Sequence, residues 1–475
     1  MNLKQTVFRS SVALSVGYAA NKVIGIFIML ALARYLTPEE FGLYTLVFSW
    51  LVVLSIPTDI GFSQVLTREI SRDEEGSRDW IGNAVLFRFL IALPVYLLGV
   101  VLALLLYGWS TRALLIAVSA IALLYSPLTI ANSILEARMR LYRVAFLKLG
   151  LRLCLWIAVL VLAGLEAAIV AFMAVEVVIG LVRVLAVWLD ATRLVRPRWV
   201  LKKKLTWDLI RRGFPLSAGA VFMSLYYRID VFFLDHFWGS AEVGSYAAAY
   251  RLAETVPILA AAVTASIFPL ICQYDNEKNF DSLVKLLRAS QKVLLAIVVM
   301  VAVSIVWSAA WVVDFLYSGK FPEAALPLTI LGVGQILVFS NLLSFMVLRA
   351  RNRGRALMVV TMGMVPVNAV LNWFVVPRFG MDGAAATTVA TELAGMIVLA
   401  SLTGTLGWFV ADFSRLVIPA AAACGIFWYA DAAGILALWM LPVAWAVFAG
   451  LVAVTRFFNR EERQRIRNAV GLSVF

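Results

Sequence analysis

TPEEFGLY, residues Thr37–Tyr44, returns 202 positions later as GSAEVGSY, residues Gly239–Tyr246. The two octamers share the Glu, Gly and Tyr at their fourth, sixth and eighth positions. Each lies between two long apolar runs, so each is typical of the short turn of a helical hairpin. We expect Gly42 and Gly244 to permit a tight entry into the following helix, because glycine tolerates unusual backbone dihedral angles.

Two further similarities place the octamers within a long internal repeat. LEARMR at Leu135–Arg140 matches LRARNR at Leu348–Arg353, 213 positions later. GLEAA at Gly164–Ala168 matches GMDGA at Gly380–Ala384, 216 positions later. The offset grows in chain order, as expected for a duplicated half with small loop insertions. We infer two similar halves and expect the function to lie between them.

The composition restricts the chain to one broad class. Its 475 residues are 63% hydrophobic and 15% charged, with a mean hydropathy of +0.92. A soluble protein would carry about 25% charged residues, so only a polytopic helical membrane protein fits. The net charge of +13 therefore reports membrane topology rather than binding to nucleic acid.

The apolar runs predict an all-α polytopic membrane protein with about fourteen transmembrane helices. A spanning helix needs about 20 apolar residues. The first run is too long for a secretory signal peptide, so we interpret it as an uncleaved membrane helix. The predicted spans are approximately 11–33, 41–66, 80–106, 111–135, 144–163, 166–189, 213–235, 243–271, 289–317, 326–348, 356–376, 382–406, 413–430 and 435–455.

The repeat pairs predicted helices 1–6 with helices 7–12 in the same order. Each half has an even number of helices, so the halves are parallel repeats related by an axis along the membrane normal. The predicted organisation is an N-terminal six-helix bundle at 1–189, a basic cytoplasmic linker at 190–212, a second six-helix bundle at 213–408, and two extra helices with a basic tail at 409–475.

Basic residues predict the orientation. With the N-terminus inside, 31 of the 41 Lys and Arg residues fall in inside segments and four in outside segments. Both termini are therefore expected to be cytoplasmic. In the linker, WVLKKKLTW at Trp199–Trp207 mixes basic and aromatic residues, which predicts a segment lying on the anionic inner leaflet. Binding of a protein partner by this segment is the alternative.

Charged residues within the predicted helices are the candidate functional residues, because each costs about 3 kcal/mol at the bilayer centre unless it faces protein or water. Five cations predict a water-filled cavity for an anionic substrate, since Arg grips phosphate through paired hydrogen bonds. Lys22 shares one helix face with Ser15, Tyr18 and Gly25. The five cations are Lys22, Arg88, Arg152, Arg228 and Arg251.

Five acidic residues are candidate charge partners or sites of ion coupling. Arg251 and Glu254 share a helix face at i and i+3 and are expected to pair. Arg228 and Asp230 lie on opposite sides of one helix, so one of them should face a neighbouring helix. The alternative interpretation is that these charges form buried ion pairs holding helices together. The five acids are Asp59, Glu176, Asp230, Glu254 and Glu392.

No motif predicts catalysis or a cofactor. The sequence lacks a Walker A motif, HExxH, a CxxC pair and GxSxG, so we expect neither ATP hydrolysis nor a metal site. The predicted outer loops hold only about 4 to 9 residues. Acidic catalytic segments of a glycosyltransferase are therefore not expected there.

Four sequence segments resemble those of a known family of membrane transporters. The segments RYLTPEEFGLY, DIGFSQVLTREIS, LEARMRLYR and RIDVFFLDHFWGSAEVGSYAAAYRLAE follow one another as they do in the polysaccharide-biosynthesis transporters called O-antigen flippases. These belong to the multidrug/oligosaccharidyl-lipid/polysaccharide exporter superfamily. The resemblance covers predicted helices 1 to 12, and fourteen helices are similar to the lipid II flippase branch.

The resemblance implies two six-helix bundles around a V-shaped cavity and transport of a polyprenyl-pyrophosphate-linked oligosaccharide. The cargo would move from the inner to the outer leaflet of a prokaryotic plasma membrane by alternating access, driven by the membrane potential or an ion gradient. Lys22, Arg228 and Arg251 match cavity cations of such relatives by helix and depth. A monomer is expected, with a polysaccharide polymerase and export machinery as further partners that the resemblance allows.

Two alternatives stay open. An ion-coupled multidrug exporter of the same superfamily would need an acidic cavity for its cationic substrates. A membrane-embedded glycosyltransferase or polymerase would need long outer loops with acidic catalytic residues.

Overall fold

The computed structural model describes residues 3–59, 61–433, 437–455, 457–459 and 462. Every regular element within these ranges is a helix, and long apolar helices dominate. The membrane class and all-α fold predicted from composition are thereby confirmed. The chain divides into two compact units, Met1–Gly244 and Ser245–Phe475. The four domain boundaries drawn from the repeat stay a prediction.

The helices of the first unit follow the apolar runs, with short 3₁₀ turns where proline interrupts them. In chain order they are α1 Leu3–Tyr35, α2 Pro38–Ser55, a 3₁₀ turn at Ile56–Thr58, α3 Phe62–Arg72, α4 Glu74–Tyr107, α5 Thr111–Tyr125, a 3₁₀ turn at Ser126–Ile130, α6 Ala131–Ala137, α7 Leu141–Gly164, α8 Ile169–Thr192 and α9 Lys203–Phe237.

The next helix, α10 Ser240–Ala253, begins in the first unit and continues into the second. The later helices are α11 Pro257–Asn276, α12 Phe280–Tyr317, a 3₁₀ turn at Pro322–Ala324, α13 Ala325–Ala350, α14 Gly354–Thr403, α15 Leu406–Ala432 and α16 Ala437–Val454.

Ten helices of the described residues are long and apolar enough to cross a membrane. An eleventh span results if the pair Ser240–Ala261 and Val263–Asn276, bent by 42°, crosses as one. A shorter apolar helix at Trp439–Val454 coincides with the last predicted span. The predicted number of fourteen is therefore not confirmed and stays a prediction.

The second predicted span, 41–66, is wrong at its inner end. The helix stops before the 3₁₀ turn at Ile56–Thr58, and Gly61 then adopts a left-handed φ of 69°. Pro57 lacks a backbone N–H and cannot continue a helical ladder, and glycine tolerates the positive φ. Consequently α3 is a separate amphipathic helix rather than the end of a membrane span.

Two other predicted spans, 111–135 and 243–271, are also interrupted. The first is divided by the 3₁₀ turn at Ser126–Ile130, which contains a proline at its start. The second is divided between α10 and α11, just before Pro257. In each case the proline removes a hydrogen-bond donor, a local effect that an apolar run of constant hydropathy does not reveal.

In contrast, the predicted spans 356–376 and 382–406 are joined without a loop. Both belong to α14, which kinks at Gly380 with φ 53° and ψ −134°. Glycine reaches this region because it has no Cβ. The expected short outer loop is therefore a single glycine residue.

The turn at the first octamer is confirmed. Thr37 caps α2, because its hydroxyl accepts from the Glu40 N–H at 3.3 Å while the Glu40 carboxylate accepts from the Thr37 N–H at 2.9 Å. This reciprocal capping box satisfies two backbone donors at the helix start. At the second octamer Gly239, with φ 87°, precedes α10.

The prediction that Gly42 and Gly244 permit a tight helix entry through unusual dihedral angles is wrong. Neither glycine has a positive φ, and both lie inside helices. A Cβ at Gly42 would overlap the carbonyl oxygen of Ser240, and a Cβ at Gly244 would overlap that of Pro38. Pro38 and Ser240 are themselves 202 positions apart, so the two contacts interchange under the repeat. The glycines are required by close helix packing and not by backbone strain.

Candidate functional site

Two of the predicted cations, Lys22 and Arg152, lie on the packed helices α1 and α7 of the first unit. A guanidinium nitrogen of Arg152 lies 2.9 Å from the position that a Cβ on Gly25 would occupy, so Arg152 packs directly on α1. Gly25 is one helical turn from Lys22. About two helical turns before Gly25 on α1, Gly17 approaches Ala145 of α7 closely, since a Cβ on Gly17 would lie 3.0 Å from the Ala145 Cβ.

The charge of this Lys22–Arg152 patch is not balanced locally. Lys22 is exposed, and in the described part of the chain no carboxylate pairs with it or with Arg152. The Nε atom of Arg152 is buried and lacks a hydrogen-bond partner there. Two uncompensated cations at membrane depth are costly, and an anionic ligand would offset that cost.

Arg88 lies in a different environment. Only 2% of its side chain is exposed, and its NH1 atom is 4.0 Å from the Asp59 carboxylate, which is 44% exposed. The Nε and NH1 atoms make no hydrogen bond within the described residues. The structure therefore places Arg88 within helix packing, beside the Asp59 carboxylate.

Arg251 and Glu254 form the predicted i,i+3 ion pair in the second unit, which is confirmed. NH1 of Arg251 donates to the Glu254 carboxylate at 3.1 Å, with side chains 24% and 36% exposed. Arg228 and Asp230 differ in burial as expected, since Asp230 is 4% exposed and Arg228 is half-buried. Both Arg228 and Asp230 have interaction partners in the protein.

Glu176 and Glu392, at equivalent positions of the repeat, are each held by a neutral donor. The Tyr44 hydroxyl donates to Glu176 at 2.8 Å. The Asn341 amide donates to the Glu392 carboxylate at 2.7 Å and to its backbone carbonyl at 3.2 Å. Such donors stabilise a carboxylate in a low-dielectric interior. Tyr44 belongs to the first octamer, so the repeat motif also positions an interior acid.

Sequence reasoning missed a buried polar network inside the kinked helix α14. Asn368 and Asn372 are fully buried, and the Asn372 amide donates to the Asn368 side chain at 2.9 Å. Thr387 donates to Asn372 at 2.9 Å, and Asn368 donates to Thr391 at 3.3 Å. The signal was the repeated i,i+4 spacing of Asn and Thr in two apolar runs, which a search restricted to charges overlooks.

A second missed cluster surrounds Lys292, in the N-terminal half of α12. The Lys292 ammonium, almost fully buried, donates to both carboxylate oxygens of Glu462 at 2.9 and 3.0 Å. Asp412, at the start of α15, is completely buried, and neither of its carboxylate oxygens has a hydrogen-bond partner among the described residues. The described residues contain no group of three or more His, Cys, Asp or Glu that could hold a metal ion.

A model of the family described as polysaccharide biosynthesis protein matches residues 7–275, more than half of the chain. The chain belongs to this family. A second model, MatE, matches residues 215–374. The chain is 23% identical over 361 residues to the "Probable low-salt glycan biosynthesis flippase Agl15" of Haloferax volcanii, and the match covers 75% of each protein.

Solved structures show the same fold. The "Lipid II flippase MurJ, inward closed conformation" aligns with a TM-score of 0.73 at 13% identity, covering 93% of this chain and 98% of that one. An inward-facing multidrug resistance MATE family transporter aligns with a TM-score of 0.62 at 16% identity, covering 85% and 98%. The predicted polysaccharide-biosynthesis family is thus confirmed. The apolar helices make this family member a multi-pass membrane protein.

Proposed function

We propose that this protein is a flippase for a polyprenyl-pyrophosphate-linked oligosaccharide, the repeat unit of a cell-surface polysaccharide. The cargo is carried from the inner to the outer leaflet of a prokaryotic plasma membrane by alternating access, and both termini are cytoplasmic. The pyrophosphate is bound by cations in a cavity between the two bundles, while the lipid tail stays in the bilayer.

The observation that carries this proposal is the Lys22–Arg152 patch. Arg152 packs against α1 one helical turn from Lys22, and neither cation has a carboxylate partner among the described residues. A diphosphate offers several oxygens to such a pair, and charge-assisted hydrogen bonds are about twice as strong as neutral ones. A cationic drug would be repelled at the same place. The glycan flippase in Haloferax volcanii gives independent support.

The test is binding of a short-chain polyprenyl pyrophosphate to the purified full-length protein. Lys22→Gln and Arg152→Gln are each expected to weaken binding at least about tenfold, because each removes a charge-assisted contact. High salt should weaken wild-type binding further. Lys22→Arg keeps the charge and should retain most of the affinity. Arg72→Gln removes an exposed surface charge on α3 and should leave the affinity unchanged.

Flipping is measured separately in proteoliposomes with a fluorescent lipid-linked sugar. Loss of flipping in both Gln variants, with binding lost in parallel, supports the proposal. Wild-type binding that is indifferent to both substitutions would contradict it, and the two cations would then be structural.

The second candidate is an ion-coupled multidrug exporter. It is favoured by the MatE match over residues 215–374 and by buried acids such as Asp230 and Glu392. Competition with lipophilic cations distinguishes the two functions: a drug exporter binds these cations, whereas the flippase binds the pyrophosphate and does not bind them.

We further propose Asp59, Glu176, Asp230 and Glu392 as the residues through which an ion gradient is coupled to transport. Transport by their amide variants, measured with and without a gradient, tests this role.

A further inference from the structure

The linker segment, defined here as residues 193–211, is fixed against the beginning of α4. The Arg198 N–H donates to the Arg78 carbonyl at 3.0 Å, and the Lys202 N–H donates to the Asn83 side chain at 2.7 Å. The Asn83 amide in turn donates to the Thr206 hydroxyl at 3.0 Å. Gly82 lets the Arg198 carbonyl come so close that a Cβ would overlap it. The segment is therefore held in one place through its backbone.

Acidic side chains neutralise only part of the positive charge of this region. Asp79 lies 2.7 Å from the Lys202 ammonium and 3.9 Å from the Arg198 guanidinium. Glu69 accepts from Arg212 at 3.1 Å. Five other cations are exposed, and they have neither an ion pair nor a side-chain hydrogen bond within the described part of the chain: Arg193, Arg196, Lys203, Lys204 and Arg211.

Large apolar side chains are exposed beside these cations. Trp199, Leu201 and Trp207 are 56%, 53% and 62% exposed. Trp199 packs against Trp188 near the end of α8, with ring centroids 6.2 Å apart. Tryptophan is enriched where a membrane meets water, because its ring is apolar while its N–H is polar. Three exposed apolar residues among five unpaired cations form an amphipathic surface.

We propose that the linker segment is a docking surface for anionic phospholipid headgroups. Trp199, Leu201 and Trp207 enter the interfacial layer, and the five unpaired cations contact the phosphates. Positive charge near an anionic leaflet contributes favourably, and the fixed backbone means that little ordering entropy is lost on docking. A lipid surface is favoured over a protein partner, because Trp199 packs against Trp188 near the end of α8, a helix long and apolar enough to cross a membrane.

The docking surface makes the protein prefer a membrane that contains anionic phospholipid, independently of which cargo is flipped.

The test uses the full-length chain, with Cys154, Cys272 and Cys424 replaced by Ala and Leu201 by Cys. It is placed in nanodiscs of phosphatidylcholine with or without phosphatidylglycerol. The rate at which a water-soluble maleimide labels residue 201 reports its burial in the interface.

Phosphatidylglycerol is expected to slow labelling at least about tenfold. Lys203→Gln with Lys204→Gln should remove most of that protection, since each charge near the surface changes the docking equilibrium about fivefold. Lys203→Arg with Lys204→Arg should keep it. Arg353→Gln with Arg355→Gln makes the same net-charge change at two exposed cations around the start of α14, and it should leave the protection intact.

Labelling that is equally fast in both membranes would overturn the proposal. It would also fail if the double Gln variant stayed fully protected, or if the control at 353 and 355 lost protection to the same extent. Slower labelling of residue 201 on addition of soluble glycerol phosphate to phosphatidylcholine nanodiscs would show that the surface binds a free anion. That result would likewise contradict lipid docking.

Discussion

The Arg88–Asp59 pair allows a test of whether an interior charge serves helix packing or cargo binding. The Arg88 side chain is 2% exposed, yet its contact with Asp59 is long, at 4.0 Å, and two of its nitrogens lack hydrogen bonds within the described residues. Replacing a whole buried ion pair with apolar or neutral groups is often neutral or stabilising, whereas removing one partner leaves an uncompensated charge.

We therefore expect Asp59→Asn to lower the thermal unfolding midpoint in detergent, moderately because Asp59 is partly exposed. Arg88→Met combined with Asp59→Asn should restore the midpoint to within a few degrees of wild type. Flipping by the double variant decides the role of the pair. Retained flipping assigns a packing role, whereas lost flipping in a stable protein would mean that Arg88 contacts cargo in another conformation.

Tyr44 and Glu176 allow a second prediction for single residues. Tyr44→Phe removes the 2.8 Å hydrogen bond to Glu176 and should cost about 1–2 kcal/mol of unfolding free energy, because the partly buried partner carboxylate loses a donor. In a Glu176→Gln background, Tyr44→Phe should lower the unfolding free energy by less. A double-mutant cycle in stability measures this coupling, and strictly additive effects would contradict the contact.

At the scale of single residues, the sequence identified where interior charges lie but not what each one meets. The pairing of Arg251 with Glu254 followed from helical spacing. The approach of Arg152 to Gly25 depends on how α1 packs against α7, which spacing within one helix does not contain. The Asn and Thr network in α14 was missed because neutral polar residues contribute little to a search for charges.

Among the elements, the packing of α2 against α10 makes the sharpest prediction. Gly42→Ala and Gly244→Ala each place a methyl group on a backbone carbonyl of the other octamer. Overpacking of this kind typically costs 1–3 kcal/mol, so each variant should lose about that much unfolding free energy.

Two other helical glycines provide matched controls for the Gly42 and Gly244 variants. Gly150 in α7 and Gly363 in α14 have open space where a Cβ would go. Gly150→Ala and Gly363→Ala are therefore expected to be neutral or slightly stabilising, because alanine is the better helix former. Equal losses in all four variants would show that the contact between the octamers is not the cause.

Helix positions were largely predictable because apolar runs of membrane length have few alternative structures. The positions at which helices break or kink were not predictable in this way. Pro57 and Pro127 lie in runs whose hydropathy hardly changes, and Gly380 joins two spans that were expected to have a loop between them. These features depend on backbone donors and dihedral angles, whereas the spans were predicted from hydropathy alone.

For the molecule as a whole, the charge distribution predicts a topology that labelling can check. In a background without native cysteines, Trp109→Cys should react with a membrane-impermeant maleimide on intact cells, since residue 109 lies in a predicted outer loop and is 96% exposed. Glu277→Cys, exposed in a predicted inner loop, should react only after permeabilisation. Labelling of both before permeabilisation, or of residue 277 alone, would refute the predicted orientation.

The reciprocal contact of Gly42 with Ser240 and of Gly244 with Pro38 has an evolutionary consequence. In an ancestor that encoded a single half, the same surface would have paired two identical chains across a true two-fold axis. One mutation there would have altered both sides of the contact at once. After duplication and fusion, each side mutates alone, so a larger residue on one side must now be accommodated by a separate change on the other.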